Sequence, residues 1–225
     1  MHISETDLKP WPEDALAYLP CSDIQEFAKG LQIYGPGDAA AGLYLIIDGR
    51  IKLSRVSESG VAVVVDIYHT DDFFGESALL NSPHEEEQAV ALEPTKVMTW
   101  SAVEVERLIG LEPRLAVALM QVVVRRCLDF KNRLESFSLE GTTNRLARSL
   151  VHFAERMGRA PEGDAVTIAP ITHEVLAQYV GTSREIISHH MSEFRNQGYI
   201  RYSRQGITIQ PAQLRAWLLT KAKHA

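Results

Sequence analysis

The chain has 225 residues, 45% of them hydrophobic and 23% charged, with a formal net charge of −6. It is too long for one small domain and suits two of ~100–150 residues, and the composition excludes a disordered or fibrous chain. No apolar run approaches the ~18–20 residues that cross a bilayer, and the first residues, MHISETDLKPWPED, are acidic where a signal peptide is basic and then apolar, so a cytoplasmic protein with no membrane partner is expected.

The charge is unevenly spread. Residues 1–112 carry 7 Lys and Arg against 20 Asp and Glu (net −13), residues 113–141 carry 5 against 3 (net +2), and residues 142–225 carry 11 against 6 (net +5). A basic C-terminal part suits a phosphate backbone and an acidic N-terminal part is repelled by one, although two differently charged solvated surfaces would show the same split.

From Ile33 to Trp100 the pattern is strand-like: Leu43–Ile47, Arg50–Val56, Val61–Tyr68 and Lys96–Trp100 are short apolar or alternating runs. Turn chemistry separates them. Gly35-Pro36-Gly37-Asp38 and Ser57-Glu58-Ser59-Gly60 mark turns, and Asp48-Gly49 is a type I′ hairpin signal. Such spacing predicts an antiparallel sandwich, roll or barrel.

After Pro113 the apolar period lengthens to about 3.6, through Leu115, Leu119, Val123, Cys127, Phe130, Leu134 and Phe137, which predicts one long helix. Its stripe is narrow and its flanks are charged, as in a helix packed along a partner, so Leu119, Val123, Cys127, Phe130 and Leu134 are expected to form a homodimer seam. Packing of part of the stripe against the chain's own strands is the alternative. Gly141 breaks this helix, and Thr142-Thr143-Asn144 offers cap chemistry for a second one, carrying Leu146, Leu150, Phe153, Ala154 and Met157 and stopping at Gly158. A flexible stretch to Gly163 and a short strand, Ala165–Ala169, follow. The domains are thus expected at 1–112, 113–141 and 142–225.

Ile171 to Ile200 is the most specific segment, and it reads as a helix-turn-helix. Thr172 caps a first helix with Val175, Leu176 and Val180 inward, Gly181 makes the turn, and Thr182 with Glu185 forms a capping-box pattern that opens a second helix. That helix is expected to bury Ile186, Ile187, Met191 and Phe194 and to present Arg184, Glu185, Ser188, His189, Ser192 and Arg195. A polar first turn is what major-groove insertion needs, because N-terminal residues reach the base edges. Tyr199–Arg204 and Gly206–Ile209 flank a tight turn, giving a wing with Arg201 and Arg204 available to phosphates.

Taken together, GLYLIIDGRIKLSR, DDFFGESALL, RLARSLVHFA and VGTSREIISHHMSEFRNQGYI resemble, in order and spacing, the β-roll hairpin, phosphate-binding cassette, entry helix and recognition helix of the cyclic-AMP receptor / fumarate–nitrate regulator (CRP/FNR) superfamily of bacterial transcription factors. The resemblance implies an α+β fold: an N-terminal antiparallel β-roll, a long dimerisation helix and a C-terminal winged helix-turn-helix. It implies a homodimer on a palindromic operator, with double-stranded DNA, RNA polymerase and an unidentified small-molecule effector as partners. Carried over, Arg184 would donate two hydrogen bonds to a guanine, Glu185 would accept from a cytosine, and Ser183 and Thr172 would hold phosphates. His189 stands where many relatives have a second guanine-reading Arg, so readout there should be weaker or altered.

The effector pocket would comprise Gly75, Glu76, Ser77, Ala78, Gln88 and Ala89. Members that bind cyclic AMP carry an Arg-Ser or Arg-Thr pair after the cassette, whereas this chain reads Glu85-Glu86-Glu87-Gln88-Ala89 with no Arg between Arg55 and Arg107. Carboxylates there would repel a cyclic phosphate by ~4 kcal/mol per contact, so cyclic AMP binding in the usual way is not expected. Cys21 and Cys127 are too few for an iron–sulfur cluster or a cysteine-held metal. Cys127 reads as a small buried hydrophobe or a redox link across the seam. His69 and His84 have the chemistry of a haem ligand, but a lone surface histidine is far more often solvated, and haem is not expected. His189, His190 and Glu193 lie within one helical turn, which a metal would suit; His189 and Glu193 share the polar face and are read as DNA contacts or solvated groups. No convergent catalytic set or nucleotide motif occurs, so the chain is not read as an enzyme. The competing reading, a small-molecule sensor or enzyme whose helical tail is an interaction module, leaves the charge split and the Thr182–His189 pattern unexplained.

Overall fold

The computed structural model describes residues 13–38, 42–56, 62–80, 87–158 and 164–222. The expected turn at Ser57–Gly60, the acidic residues Glu85 and Glu86, His84 and the expected flexible stretch beyond Gly158 lie outside them. Contacts divide the chain into two compact units, Met1–Val56 with Ile67–Arg133, and Ser57–Asp66 with Leu134–Ala225.

Eight strands come first in the chain, all in the first unit but for Ala62–Asp66 of β5: β1 (Ile24–Phe27), β2 (Gln32–Tyr34), β3 (Leu43–Asp48), β4 (Arg50–Val56), β5 (Ala62–His69), β6 (Phe73–Phe74), β7 (Glu87–Ala91) and β8 (Thr95–Trp100). They form two four-stranded sheets, ordered β1-β8-β3-β6 and β2-β7-β4-β5. Early strands pair with late ones, Ile24 opposite Met98 and Tyr34 opposite Ala89. The four runs expected from the sequence are β3, β4, β5 and β8, to within a residue at either end, whereas β1, β2, β6 and β7 are not among them, and Asp48-Gly49 does not close a hairpin. β3 pairs with β8 and β6, and β4 with β7, so the chain changes sheets at Gly49. Glycine is needed there because its φ is +95° and a Cβ would stand 2.6 Å from the Pro94 carbonyl oxygen. Arg50, forked onto Glu93 at 3.1 and 2.9 Å, fastens the same corner.

The sequence reading omitted α1 (Ala102–Leu111). A capping box opens this helix: Ser101 Oγ accepts from the Glu104 amide, and Glu104 Oε2 accepts from the Ser101 amide. The long helix α2 (Arg114–Leu139) starts where the 3.6 period begins. Its N-terminal Leu115, Ala118 and Leu119 join Leu43, Leu45, Phe73, Trp100 and Val105 in one core. Leu119 thus belongs to the chain's own interior, where burial is worth ~1.5–3 kcal/mol. Farther along, Val123, Leu128, Phe130 and Leu134 are exposed, the last at 68%, and Cys127 is exposed rather than buried.

The second unit opens with α3 (Thr142–Met157). Thr142-Thr143-Asn144 does not cap it; the N-cap is Gly141, which has no side chain to do so, and the three polar residues form the first turn. Leu146, Leu150, Phe153 and Ala154 are buried as the spacing requires. A three-stranded sheet, β10 (Ile200–Ser203), β11 (Gly206–Ile209) and β9 (Val166–Ile168) in that order, packs against α3 and α5 (Arg184–Asn196), and α4 (His173–Val180) packs against the same two helices. A last helix, α6 (Pro211–Ala222), also absent from the sequence reading, seats Leu214 in the core and sets Trp217 edge-on to Phe194 at 5.5 Å. Among the described residues no helix is long and apolar enough to cross a membrane.

Candidate nucleic-acid interface

Thr172 caps α4, its Oγ1 accepting from the Val175 amide at 3.2 Å. At the other end Gly181 adopts φ +72°, and the amides of Gly181 and Thr182 both donate to the Ala177 carbonyl, closing the helix in the left-handed manner that glycine permits. The turn then enters α5 one residue later than the sequence pattern indicates. Ser183, not Thr182, is the N-cap: its Oγ accepts from the Ile186 amide, while the Thr182 amide is already used in ending α4. A capping hydroxyl accepts with a lone pair and keeps its proton for donation: Thr172 retains the capacity to bond a phosphate oxygen, while Ser183 turns its proton toward the Glu185 carboxylate.

Of the apolar residues on α5, Ile187, Met191 and Phe194 are buried, but Ile186 is 43% exposed. Beginning the helix at Arg184 places the core line at 187, 191 and 194, and Ile186 sits one step round from it. Val175 of α4 is likewise only half-buried, whereas Leu176 and Val180 are buried. The outward face is the expected one. Arg184, Glu185, His189, Ser192 and Arg195 are exposed and Ser188 is partly covered. Its own backbone amide and then the Ser183 hydroxyl hold the Glu185 carboxyl below its usual range, so it stays an acceptor. On the wing, Arg201 and Arg204 are exposed.

Two residues not singled out by the sequence fix this assembly. His173, on α4, has Nδ1 2.8 Å from Ser188 Oγ of α5 and Nε2 3.0 Å from the Tyr202 hydroxyl of the wing. Ser188 gives its own proton to the Arg184 carbonyl at 2.8 Å, so Nδ1–H donates and Nε2 accepts from Tyr202, which describes a neutral ring. Burial, then the Arg184 charge, accordingly lowers the His173 pKa from 6.5. Arg145, on α3, donates to the carbonyls of Glu140, Val180 and Gly181 at 3.0, 3.1 and 3.4 Å and covers the Phe137 ring at 5.0 Å. One guanidinium therefore satisfies carbonyls at the ends of both α2 and α4.

In the roll, Gly75 (φ +79°) is followed by the short helical turn Glu76–Leu80, with Ala78 buried; Ser77 lies in the same turn. Gln88 and Ala89 lie on β7, where Gln88 Nε2 donates to Gln32 Oε1 at 2.6 Å and Ala89 is buried. Tyr34 links the two parts: its ring stacks on Phe74 at 6.1 Å and its hydroxyl donates to Glu87 at 2.6 Å. Burial, then the Glu87 charge, pushes that hydroxyl's pKa far up, so it remains a donor. Tyr44 and Tyr68 complete an aromatic stack around Phe74, at 4.8 and 6.4 Å. Arg126 of α2 meets Glu76 at 2.7 Å, donates to the Phe73 carbonyl and lies over the Tyr68 ring at 4.6 Å.

Both units match known families. Residues 24–110 match the cyclic nucleotide-binding domain, and residues 144–217 match the Crp-like helix-turn-helix domain. The chain belongs to the CRP/FNR family of transcriptional regulators and carries that family's helix-turn-helix DNA-binding domain. Among its relatives, the CRP-like cAMP-activated global transcriptional regulator of Mycobacterium tuberculosis is 25% identical over 189 residues, covering 84% of each chain. The global nitrogen regulator of Synechococcus elongatus is 27% identical, over 83% of this chain and 85% of its own. FixK2 from Bradyrhizobium japonicum has the same fold, with a TM-score of 0.77 over 88% of this chain and 97% of its own at 18% identity. The first two of these relatives are named as regulators.

Proposed function

We propose that two copies of this chain act in the cytoplasm as a homodimeric regulator on a palindromic operator, with residues 1–112 as sensor, 113–141 as dimer helix and hinge, and 142–225 as DNA reader. The observation that carries this reading is the exposed, capped first turn of α5, where Arg184, Glu185 and His189 face outward while Ile187, Met191 and Phe194 anchor the helix behind them. Arg184 reads a guanine, Glu185 a cytosine amino group, and His189 makes one bond where an Arg would make two. Thr172, Arg201 and Arg204 address phosphates. The apolar residues left exposed on α2, Val123, Phe130 and Leu134 with Cys127 among them, supply the seam for the second copy. The paired α5 helices then meet half-sites ~34 Å apart, one turn of duplex.

The sensor does not take cyclic AMP in the usual way. Glu76, the group suited to a ribose hydroxyl, is held by Arg126, and four aromatic rings stack where the two sheets face each other. The effector is therefore of another kind, and it and RNA polymerase complete the set of partners.

The test is a gel-shift series on an operator selected from random duplexes, combined with sedimentation to establish the dimer. Arg184→Ala should cost ~1–3 kcal/mol of specific binding and relax preference at one base pair, while Arg204→Ala should weaken all sequences alike. A monomer in sedimentation, or an Arg184→Ala protein with unaltered operator preference, would refute the reading.

A further inference from the structure

The DNA-facing helix holds a cluster that base reading does not absorb. His189 Nε2 lies 3.5 Å from Glu193 Oε1, and His190 Nδ1 lies 2.9 Å from Glu193 Oε2. One carboxylate thus stands between two imidazoles, with one donor atom of each residue within 4.8 Å of the others. We propose that His189, His190 and Glu193 form a three-ligand site for a zinc-like divalent transition cation.

The donor chemistry selects the ion. Two imidazole nitrogens and one carboxylate suit zinc, nickel or copper, whereas magnesium and calcium require oxygen. A tetrahedral ion with bonds of ~2.0–2.2 Å sets its donors roughly 3.3–3.6 Å apart; the 3.5 Å spacing already fits, and the 2.9 Å hydrogen-bonded one must open by a small side-chain rotation. Three protein ligands leave a fourth position to water. The site also has an outer support. His190 is only 17% exposed in its side chain, and its Nε2 faces Thr143 Oγ1 of α3 at 3.2 Å. Without an ion Nδ1–H donates to Glu193; an ion takes the place of that proton, and the ring then carries its remaining proton on Nε2, which faces the Thr143 hydroxyl. His189 and Glu193, by contrast, are 69% and 46% exposed and turn freely to close on an ion.

Occupancy has a consequence that rests on the reading of α5 as the DNA reader. A bound ion draws the His189 nitrogen toward Glu193 and away from the base edge, yet adds positive charge beside the phosphates. Zinc therefore relaxes sequence discrimination at the base pair His189 addresses while keeping overall affinity.

The experiment uses the full, untagged chain and zinc(II) alone, in competition with a chromophoric chelator, with cobalt(II) absorption reporting tetrahedral geometry. One ion per chain is expected. His190→Gln and Glu193→Gln should each weaken binding at least ~10-fold, and Thr143→Val ~10–100-fold. Absence of zinc binding by the wild type, or equal binding by the wild type and both ligand variants with unchanged circular dichroism, overturns the site. Operator discrimination is then measured with and without zinc for wild type and His190→Gln. A zinc-induced loss of discrimination seen only in the wild type supports the coupling, and unchanged discrimination with zinc bound overturns it. Zinc bound by a chain that binds no duplex overturns the DNA-reader assignment and leaves the metal site standing.

Discussion

The guanidinium of Arg126, halfway along α2, sits 2.7 Å from the carboxylate of Glu76 in the cassette of the roll. Removing it strands a carboxylate that keeps 37% of its side-chain exposure and leaves the Phe73 carbonyl without its donor. Arg126→Ala should destabilise the protein by about 1–3 kcal/mol, below the cost of breaking a fully buried pair because Glu76 reaches water. Urea unfolding measures this. A midpoint equal to that of the wild type would show that the pair contributes nothing.

Titration calorimetry with cyclic AMP should give no saturable heat at micromolar concentrations. In the proposed pocket Glu87, already bonded to Tyr34, stands next to Gln88 where a cyclic phosphate needs a cation, and Glu76, the group suited to a ribose hydroxyl, is already bonded to Arg126. Micromolar binding would contradict the proposed account of the sensor.

His173 gives the reading domain a pH dependence whose sign follows from its neutral ring. Its pKa falls below 6.5 on folding, so between 6.5 and the lower folded value the unfolded chain binds the extra proton. Its contribution to stability is complete above pH 6.5 and declines as the pH is lowered through that interval. A thermal melt series from pH 7.5 to 5 should show the decline, and His173→Gln, which cannot charge, should flatten that part of the curve. Parallel curves for the two proteins would exclude His173 as the source.

Arg145→Lys should behave almost like Arg145→Ala, because a single ammonium cannot reach the Glu140, Val180 and Gly181 carbonyls together. Each should lower stability by ~1.5–3 kcal/mol, the range for a hydrogen-bonded charged group. Full stability in the lysine variant would mean that charge, not the fork, matters.

Gly181→Ala faces two obstacles: a φ of +72°, which costs an L-residue ~1–2 kcal/mol, and a Cβ 2.6 Å from the Phe137 ring. Weaker DNA binding should accompany a lower melting temperature. Phe137→Ala in the same chain relieves the ring contact only, so partial recovery is expected in the double variant.

Residues whose neighbours lie nearby in the chain were the readable ones. Thr172, Gly181 and the 187–191–194 line follow from local periodicity and cap chemistry, and the strands Arg50–Val56 and Leu43–Asp48 from alternation. What failed depended on distant partners. Asp48-Gly49 has ideal hairpin chemistry, but Thr95 and Pro94 approach from the far end of the roll and the chain crosses between sheets. Leu119 and Val123 look alike on the α2 stripe, yet only Leu119 meets Trp100 and Phe73. The cap moved from Thr182 to Ser183 because ending α4 consumed the Thr182 amide. Arg126, Arg145 and His173 acquire their roles through contacts 15 to 53 positions away, which no pattern of spacing announces.

The pairing of Ile24 with Met98 and of Tyr34 with Ala89 also governs how the protein is made. A nascent roll on the ribosome cannot complete one sheet until β7, or the other until β8, has cleared the exit tunnel, and its early strands wait with open edges. The reading domain has no such delay, since α4, α5 and the wing follow one another directly. A chaperone acting on this protein during synthesis would therefore meet the first hundred residues, and slowed translation once Trp100 has emerged from the tunnel would favour correct closure.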